Sequence, residues 1–514
     1  MLHYPFGESY ADEPVNQEIA LHTLSARYRH SLTLLTDLYQ LTMAYGYWKN
    51  GLADRQAVFH LAFRKCPFGG GYAIAAGLHD VVGFLESMRF DESDISFLHT
   101  LHGHDGKPLF EPEFLRFLGE LTLECDLDAI PEGTAVFAHE PLIRVRGPLV
   151  QAQIIETALL NIINFQTLIA TKAARVCFAA KGKPVLEFGL RRAQGIDGAL
   201  SASRAAYIGG CEATSNVLAG KLFGIPVRGT HAHSWVMVFD DELEAFAAYA
   251  RAMPNNCVFL VDTYDTLEGV RNAVQIGHRL REQGHELSGV RLDSGDLAFL
   301  SIEARKILDE AGFPNAAIVA SNDLDEQLID SLQNQGAAIG VWGVGTKLVT
   351  AFDQAALGGV YKLSAIQDAC GQYQPKIKLS EQAVKISTPG ILNVRRFRLE
   401  GQAIGDMVFD ELDAIPDSPT IVDPADATRR KVFSPDMTRE DLLEPVFRKG
   451  RLVRESPPID AIRMRVKSQL EALHAGVKRF LNPHSYPVGL EEKLFNRRRE
   501  LVFEARGHHI REVK

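Results

Sequence analysis

The chain has 514 residues, 46% hydrophobic and 23% charged, which is the composition of a globular protein too long for one ordinary core, so we expect two or more domains. A formal net charge of −10 removes the usual electrostatic reason to expect a nucleic-acid or anionic-membrane partner. The N-terminus lacks the pattern of a signal peptide, and no stretch has the roughly 18 unbroken apolar residues of a membrane helix, so we expect a cytoplasmic protein.

The first predicted element is an amphipathic helix over residues 36–48 (TDLYQLTMAYGYW). An alternating run at 57–65 (AVFHLAFRK) and a glycine cluster at 69–71 follow it. The chain before about residue 150 therefore predicts α+β structure with a loop near the surface.

From about residue 183 to 346 one plan repeats: a short apolar or β-branched run, a polar or glycine turn, then a segment with helical spacing. Such continuous apolar runs between helices predict a parallel sheet buried on both faces. The runs are 183–189 (KPVLEFG), 226–232 (PVRGTHA), 257–263 (CVFLVDT), 287–293 (LSGVRLD), 316–322 (AAIVASN) and 338–346 (AIGVWGVGT).

The simplest closed arrangement of these units is an irregular βα barrel, with an open doubly wound sheet as the alternative. No Gly-x-Gly-x-x-Gly follows the first run, which weakens a dinucleotide-binding interpretation. Helices are predicted after Asp265, ending at Gly284, and after Ser294, ending at Gly312.

Beyond about residue 375, two segments at 384–397 and 401–412 have the pattern of hairpin strands, and the tail from Ile459 is basic and helical. We expect both ends of the chain to form a second α/β sandwich domain. The predicted division is 1–150 for its N-terminal part, 151–365 for the barrel, and 366–514 for its C-terminal part with the helical tail.

The six cysteines are scattered and never form a Cys-x-x-Cys pair, which argues against a zinc site and a disulfide framework. We expect them to fill buried positions.

Each predicted strand ends in residues that a structural turn does not require, and in a parallel barrel these ends meet at one rim. The residues at these ends are Glu187, Phe188, Arg191, His231, His233, Asp262, Arg291, Asp293, Ser294, Ser321, Asn322, Gly343, Gly345 and Thr346.

Taken singly, each of these residues has an ordinary structural explanation. Asp293 with Ser294 would serve equally as a helix cap, Arg191 as a solvated cation, the histidines as satisfied polar groups and the glycines as turn residues. It is their convergence that favours an active site.

The set suits a phosphorylated, polyhydroxylated substrate. Backbone N–H groups of GVGT at a helix start can hold a terminal phosphate, and Asp293 can accept hydrogen bonds from ribose hydroxyls. A pyrophosphate leaving group needs cations and a divalent metal. Since no metal-ligand spacing stands out, we expect Mg²⁺ to arrive mainly with the substrate phosphates.

Seven motifs resemble the nicotinate phosphoribosyltransferase family in order and spacing, and together they span residues 30–365. They are TDLYQLTMAYGYW (36–48), FRKCPFGGGYAIAAGL (63–78), EFGLRRAQG (187–195), GTHAHSW (229–235), VDTYDTLEG (261–269), GVRLDSGDL (289–297) and GVGTKLVTAFDQAALGGVYKL (343–363).

The resemblance implies an irregular α/β barrel beside an α/β sandwich built from both termini, with active sites shared across a homodimer interface. It also implies condensation of nicotinate with 5-phosphoribosyl 1-pyrophosphate to nicotinate mononucleotide and pyrophosphate. ATP hydrolysis would be coupled to turnover through a phosphorylated histidine.

The resemblance further assigns roles to individual residues. Phe188 would stack on the pyridine, Arg191 would bind anionic groups, and Arg291 and Asp293 would contact the base and the ribose. Tyr39 would close the pyridine pocket from the neighbouring subunit, and His233, chosen over His231, would be phosphorylated. Gly343, Gly345 and Thr346 would hold the 5-phosphate with Ser321 and Asn322 nearby.

Three alternatives remain: a nicotinamide phosphoribosyltransferase, a quinolinate phosphoribosyltransferase, or a catalytically silent binding relative. A pocket near Arg191 and Thr214 is predicted to recognise the nicotinate carboxylate. Glu212 beside that carboxylate would be unfavourable unless it points away or is protonated. His231 and His233 lie two residues apart, so strand periodicity cannot choose between them.

Overall fold

The computed structural model describes residues 31–382 and 385–507, and it has a mixed α/β architecture. The strands are β1 (Gln56–Phe63), β2 (Ala73–Ile74), β3 (Asp126–Ala129), β4 (Ala135–Val136), β5 (Pro141–Pro148), β6 (Val185–Glu187), β7 (Ala213–Thr214), β8 (Val258–Leu260), β9 (Gly289–Leu292), β10 (Ala317–Ala320), β11 (Val341–Val344), β12 (Gly359–Gln367), β13 (Tyr373–Pro375), β14 (Leu392–Leu399), β15 (Gln402–Asp410), β16 (Thr420–Val422), β17 (Arg430–Val432), β18 (Thr438–Asp441), β19 (Glu444–Arg448), β20 (Arg451–Leu452) and β21 (Val488–Glu491).

The α-helices lie between these strands and over the faces of the sheets. They are α1 (Leu38–Lys49), α2 (Leu78–Glu86), α3 (Glu92–His99), α4 (Pro112–Glu120), α5 (Leu149–Ile154), α6 (Glu156–Ala179), α7 (Gly195–Ile208), α8 (Val217–Phe223), α9 (His233–Met237), α10 (Glu242–Ala252), α11 (Thr266–Glu282), α12 (Leu297–Glu310), α13 (Glu326–Asn334), α14 (Thr346–Val349), α15 (Ile459–Ala472) and α16 (Glu492–Ala505).

A parallel sheet in the order β7-β6-β11-β10-β9-β8 occupies the middle of the chain. Five of the six predicted apolar runs correspond to its strands β6, β8, β9, β10 and β11. The prediction of a buried parallel sheet is therefore confirmed.

The remaining predicted strand, at 226–232, is wrong. Pro226 has no N–H to donate, and the segment makes only an isolated bridge, between Val227 and Thr214 of β7. Farther along, the Leu260 N–H of β8 donates to His231 Nε2 at 3.2 Å. The segment thus contacts both edge strands of the sheet without a ladder, and a hydrogen-bonded closed barrel is not confirmed.

The helices after β8 and β9 begin at aspartate caps. Asp265 accepts a hydrogen bond from the Glu268 N–H at 2.9 Å at the start of α11. The cap of α12 is Asp296, which accepts from two backbone N–H groups at 3.1 Å each. Asp293 and Ser294 are therefore not the cap of this helix, and the structural explanation considered for them is wrong.

Segments from both ends of the chain build the antiparallel sheet β13-β12-β1-β5-β3-β19-β20, in which β3 pairs with β19. A further sheet, β17-β16-β21-β15-β14-β18, comes from the C-terminal part and contains the predicted hairpin β14–β15. The sandwich formed from both termini is thus confirmed. Strand β12 crosses the predicted boundary at 365, and the boundaries themselves remain predictions.

Buried charges tie the C-terminal sheet to the N-terminal part. Arg396 pairs with Asp406 at 2.5 Å and donates to the Ala135 carbonyl at 2.8 Å. Tyr486 donates to the same aspartate at 2.8 Å. Glu140 is fully buried beside Asp406, and burial followed by repulsion from that carboxylate raises its pKa well above the ordinary value.

The helical stretch Leu149–Ala179 is long and apolar enough to cross a membrane, but 67% of its most apolar window is buried inside the fold. It packs there against α2, α7 and α13. Its apolar surface is accounted for by core packing.

Candidate active site

Polar residues gather at the carboxyl ends of the parallel strands, because those ends share one edge of the sheet. Arg291 of β9 is the centre of the group. Its Nε donates to Ser321 Oγ at 2.9 Å, and its Nη1 donates to Thr230 Oγ1 at 2.8 Å. The guanidinium carbon also lies 6.0 Å from the ring centroid of Phe188. Hydrogen bonds therefore fix a partly buried cation beside an aromatic ring.

Asp293 follows β9 and turns its carboxylate toward the same group. Its Oδ1 accepts from Ser321 Oγ and lies 3.4 Å from Arg291 Nη2, while its Oδ2 lies 3.8 Å from His233 Nε2. Its backbone N–H donates to Asp262 Oδ2 at 2.9 Å. The carboxylate is thus held in one orientation, and its Oδ2 remains available to accept a hydrogen bond from a ligand.

The two histidines have different surroundings. His231 is 8% exposed, accepts a hydrogen bond from Leu260 through Nε2, and packs 4.9 Å from the ring of Tyr249. Burial lowers the pKa of His231 to about 4, so it is neutral near pH 7. The His233 side chain is 41% exposed, and its Nδ1 lies 3.1 Å from Thr263 Oγ1.

This difference arises because the chain leaves its extended path between the two residues. Helix α9 begins at His233, so the same-side geometry expected for a continuous strand does not apply. His233 faces Asp293, whereas His231 belongs to the packing beside β8.

Phe188 lies directly after β6, and its ring rests against Gly343 of β11. A Cβ on that glycine would stand 2.8 Å from a ring carbon, so any other residue there would displace the ring. The Phe188 N–H donates to the Val344 carbonyl at 2.8 Å. Close packing of the ends of β6 and β11 therefore fixes the position of the Phe188 ring.

Gly345 precedes α14, and Thr346 is the first residue of that helix. The first N–H groups of a helix have no acceptor within it, so this turn can offer donors to an anion. Lys347 is paired with Asp325 at 2.6 Å, a hydrogen bond that raises the lysine's pKa.

Thr214 is buried, and its hydroxyl donates to Glu187 at 2.5 Å while accepting from the Asn216 N–H. The hydroxyl therefore has no proton left for a ligand. Arg191 is exposed on the short turn after Phe188. The predicted contact of these two residues with a carboxylate remains a prediction.

Asn322 lies at the edge of the polar group at the strand ends, and Tyr39 lies outside it. Asn322 is exposed, has a φ of 91°, and accepts a hydrogen bond from the Asp323 N–H. Tyr39 is 49% exposed on α1, a helix of the sandwich side. The structure does not bring Tyr39 to Asp293 within the described chain.

Glu212 lies at the amino-terminal end of the strands. Its N–H donates to the Val185 carbonyl at 2.8 Å, and its side chain is exposed. Glu212 therefore lies at the opposite end of the strands from Arg291 and Asp293, and its effect on a bound carboxylate remains a prediction.

Two features were missed by the sequence reasoning. One is the buried carboxylate of Glu187 as the partner of Thr214. The other is a basic cleft of about 80 Å³ on the sandwich side, whose cations are Arg64, Lys362 and Lys385. Burial lowers the pKa of Lys362. The lysine-rich run at 376–385 (KIKLSEQAVK) was a signal for this cleft.

Within residues 31–382 and 385–507, no group of three His, Cys, Asp or Glu side chains is arranged to hold a metal ion. Asp262 Oδ1 is nevertheless buried without a hydrogen-bond partner there. All six cysteines are free thiols. Three of them fill buried positions as expected, two (Cys66 and Cys177) are half-buried, and Cys370 is exposed.

Family models match nearly the whole chain. The nicotinate phosphoribosyltransferase N-terminal domain matches residues 34–164, the nicotinate phosphoribosyltransferase family model matches 184–383, and the C-terminal domain matches 393–498. The nicotinate phosphoribosyltransferase of Bacillus subtilis is 45% identical over 503 residues, covering 94% of this chain and 98% of the relative. The Homo sapiens enzyme of that name is 37% identical, covering 90% and 95%.

Solved structures agree. The crystal structure of human nicotinic acid phosphoribosyltransferase superposes with a TM-score of 0.80 at 34% identity, covering 91% of this chain and 99% of the other. A Pyrococcus furiosus nicotinate-nucleotide pyrophosphorylase has a TM-score of 0.66 at 21% identity with 91% and 99% coverage, which shows the fold alone. This chain belongs to the nicotinate phosphoribosyltransferase family.

Proposed function

We propose that the chain joins nicotinate to 5-phosphoribosyl 1-pyrophosphate, releasing nicotinate mononucleotide and pyrophosphate, in cytoplasmic NAD biosynthesis by salvage. The observation that carries the proposal is the cluster of Arg291, Asp293 and Ser321 beside the ring of Phe188, in a chain matched by the family from 34 to 498.

The pyridine pocket is built on Phe188. Its ring offers a stacking face, and Arg291, 6.0 Å from the centroid, supplies a cation close to a stacked base. Arg191 is exposed nearby and can reach anionic groups of substrate or product. Cations around the ring favour the carboxylate of nicotinate over the neutral amide of nicotinamide.

The sugar phosphate lies between Asp293 and the start of α14. Asp293 accepts hydrogen bonds from ribose hydroxyls, and backbone N–H groups at Gly343, Gly345 and Thr346 hold the 5-phosphate. Ser321 and Asn322 lie on the adjoining loop.

In the reaction, the ring nitrogen of nicotinate attacks the anomeric carbon while the bond from that carbon to pyrophosphate breaks. The ribose passes through an oxocarbenium-like state. The protein therefore acts by positioning the reactants and by stabilising charge. The pyridine nitrogen already carries its lone pair, so no general base is needed.

Mg²⁺ enters with the substrate phosphates and would neutralise charge on the leaving pyrophosphate. Two carboxylate oxygens at the strand ends suit a hard cation such as Mg²⁺. Asp262 Oδ1 has no hydrogen-bond partner within the described ranges, and Asp293 Oδ2 has only His233 at 3.8 Å. These two carboxylate oxygens are the candidates for contact with it or with its bound water.

ATP acts as a co-substrate through His233. Its Nε2 attacks the γ-phosphorus, the bond to the leaving ADP oxygen breaks, and hydrolysis of the phosphohistidine later restores the imidazole. Exposure and an unbonded Nε2 favour His233, while burial and an occupied Nε2 disfavour His231.

We also propose a homodimer in which Tyr39 of one subunit closes the pyridine pocket of the other. Tyr39 is exposed among the apolar side chains of Leu35, Leu38 and Met43, a surface suited to a partner.

The test is turnover with nicotinate, nicotinamide and quinolinate, each with and without ATP. We expect nicotinate to be used best and to be stimulated by ATP. Equal or faster turnover of nicotinamide or quinolinate would assign the chain to that activity, and no turnover of any of the three would favour a silent binding relative.

A further inference from the structure

Glu187 is a buried carboxylate at the end of β6 that the reaction described above does not use. It is 1% exposed, and three donors converge on it. The Gly189 N–H donates to Oε1, and the Thr214 hydroxyl donates to Oε2 at 2.5 Å. The Ser203 hydroxyl lies 2.9 Å from Oε2 and 3.0 Å from the Ala199 carbonyl oxygen, so its one proton has two acceptors within reach. None of these groups is a cation, so within the described ranges hydrogen bonds alone surround the carboxylate. Burying such a charge is costly unless hydrogen bonds hold it.

The three donors come from separate elements around the pyridine pocket. Gly189 lies in the turn between Phe188 and Arg191, Thr214 lies in β7, and Ser203 lies in α7. A Cβ on Gly189 would clash with Val349 of α14 and stand 3.0 Å from Glu187 Oε1. The carboxylate therefore sets how the pyridine turn packs on the helix that follows the phosphate turn.

A neutral amide can replace this carboxylate only if the two neighbouring hydroxyls turn. Glutamine has one acceptor oxygen and turns an NH₂ group, itself a donor, toward the remaining N–H or O–H. Thr214 Oγ1 already accepts from the Asn216 N–H at 2.9 Å, so accepting from the NH₂ group as well would fill its second lone pair and turn its proton away from residue 187. Both oxygens of Glu187 thus serve the present donors, and an amide at this position would rearrange the hydrogen bonds of Thr214 and Ser203.

We propose that Glu187 is a positioning residue for nicotinate. Its carboxylate holds the turn at Gly189, which keeps the ring of Phe188 against Gly343 and directs Arg191 toward the mouth of the pocket. The inference rests on the proposed function for the role of Phe188. It assigns Glu187 an effect on pyridine binding, not on bond formation.

The test compares Glu187→Gln with Glu212→Gln, a matched control on an exposed glutamate two residues before Thr214. Because Glu187→Gln disrupts hydrogen bonds to a charged group, we expect kcat/KM for nicotinate to fall by about 10- to 100-fold. Most of this fall should come from a higher KM for nicotinate, while the KM for the sugar phosphate should be nearly unchanged. Glu187→Asp should recover part of the loss, and the control should behave as wild type.

A double-mutant cycle adds Thr214→Val. If the two groups act together, the loss in the double variant should be clearly smaller than the product of the two single losses. A folded Glu187→Gln variant with a wild-type KM for nicotinate would overturn the proposal. Equal loss in both KM values together with a lower Tm would also overturn it, because that is a purely structural effect.

Failure of the proposed function would look different, since wild type itself would not turn over nicotinate. In that case calorimetric titration of nicotinate into wild type and Glu187→Gln still decides the point. Weaker binding by the variant supports positioning, and equal or absent binding to both proteins refutes it.

Discussion

Gly343→Ala places one methyl group beneath the pyridine pocket. The backbone of Gly343 is that of an ordinary strand residue, so alanine is conformationally allowed. The new Cβ would stand 2.8 and 2.9 Å from two ring carbons of Phe188. Carbon atoms pack at about 3.5–4.0 Å, so the ring must retreat by roughly 0.6–1.2 Å.

A displacement of about 1 Å in a positioning group can cost about 100-fold in rate. We therefore expect kcat/KM for nicotinate to fall by about that factor, while the KM for the sugar phosphate changes little. Steady-state kinetics with each substrate varied in turn measures both. Overpacking should also lower the free energy of unfolding by about 1–3 kcal/mol, which thermal melts report.

Gly340→Ala is the matched control, because the nearest atom to its new Cβ is the Ile318 carbonyl oxygen at an ordinary 3.8 Å. It should leave both KM values at wild type. If Gly343→Ala kept a wild-type kcat/KM for nicotinate, Phe188 would not be the floor of the pyridine pocket.

Gly345→Asp should sharply raise the KM for the sugar phosphate, because it brings a negative charge and bulk to backbone donors that face a phosphate. An unchanged KM in the folded variant would show that this turn does not bind the phosphate. His233→Ala should lose ATP hydrolysis and ATP stimulation but keep slow ATP-independent product formation; acid-labile γ-phosphate label on the variant would exclude this histidine as the acceptor. Mixed Tyr39→Ala and Asp293→Ala proteins should regain activity if the site is shared, and no recovery despite proven subunit exchange contradicts sharing. Because folding raises the pKa of Glu140, the folded state holds its proton where the unfolded state does not, so the free energy of unfolding should fall as pH rises from 4.5 through the raised pKa. Glu140→Gln should make the free energy of unfolding, measured by chemical denaturation, depend less on pH. An unchanged pH dependence would mean that Glu140 is not the group responsible.

Local patterns predicted the parts of the fold that local interactions determine. The continuous apolar runs predicted five parallel strands, and the aspartate at 265 predicted the start of α11. The run at 226–232 failed because its composition is strand-like while Pro226 and its neighbours form no ladder. Strand β7 was missed because two residues carry no periodicity.

The site was harder to predict in detail because its chemistry depends on tertiary contacts. Periodicity left His231 and His233 equivalent, and only the packing of the first against Tyr249 and Leu260 separates them. The hydroxyl of Thr214 looked available, but it is turned inward by a carboxylate 27 residues earlier in the chain. The order of the motifs predicted the family, whereas the hydrogen-bond partners of the site residues could be identified only from the structure.

The pairing of β3 with β19 constrains the order in which the chain can fold during its synthesis. Strand β3 gains its second neighbour only when residues 444–448 emerge, about 300 residues later. At translation rates of about 5–20 residues per second, its edge stays open for about 15–60 s. Over that interval the buried Asp128 also lacks Arg448, one of its two arginine partners. An open strand edge invites pairing with other chains, so a nascent chain still on the ribosome is more prone to aggregate than a completed one.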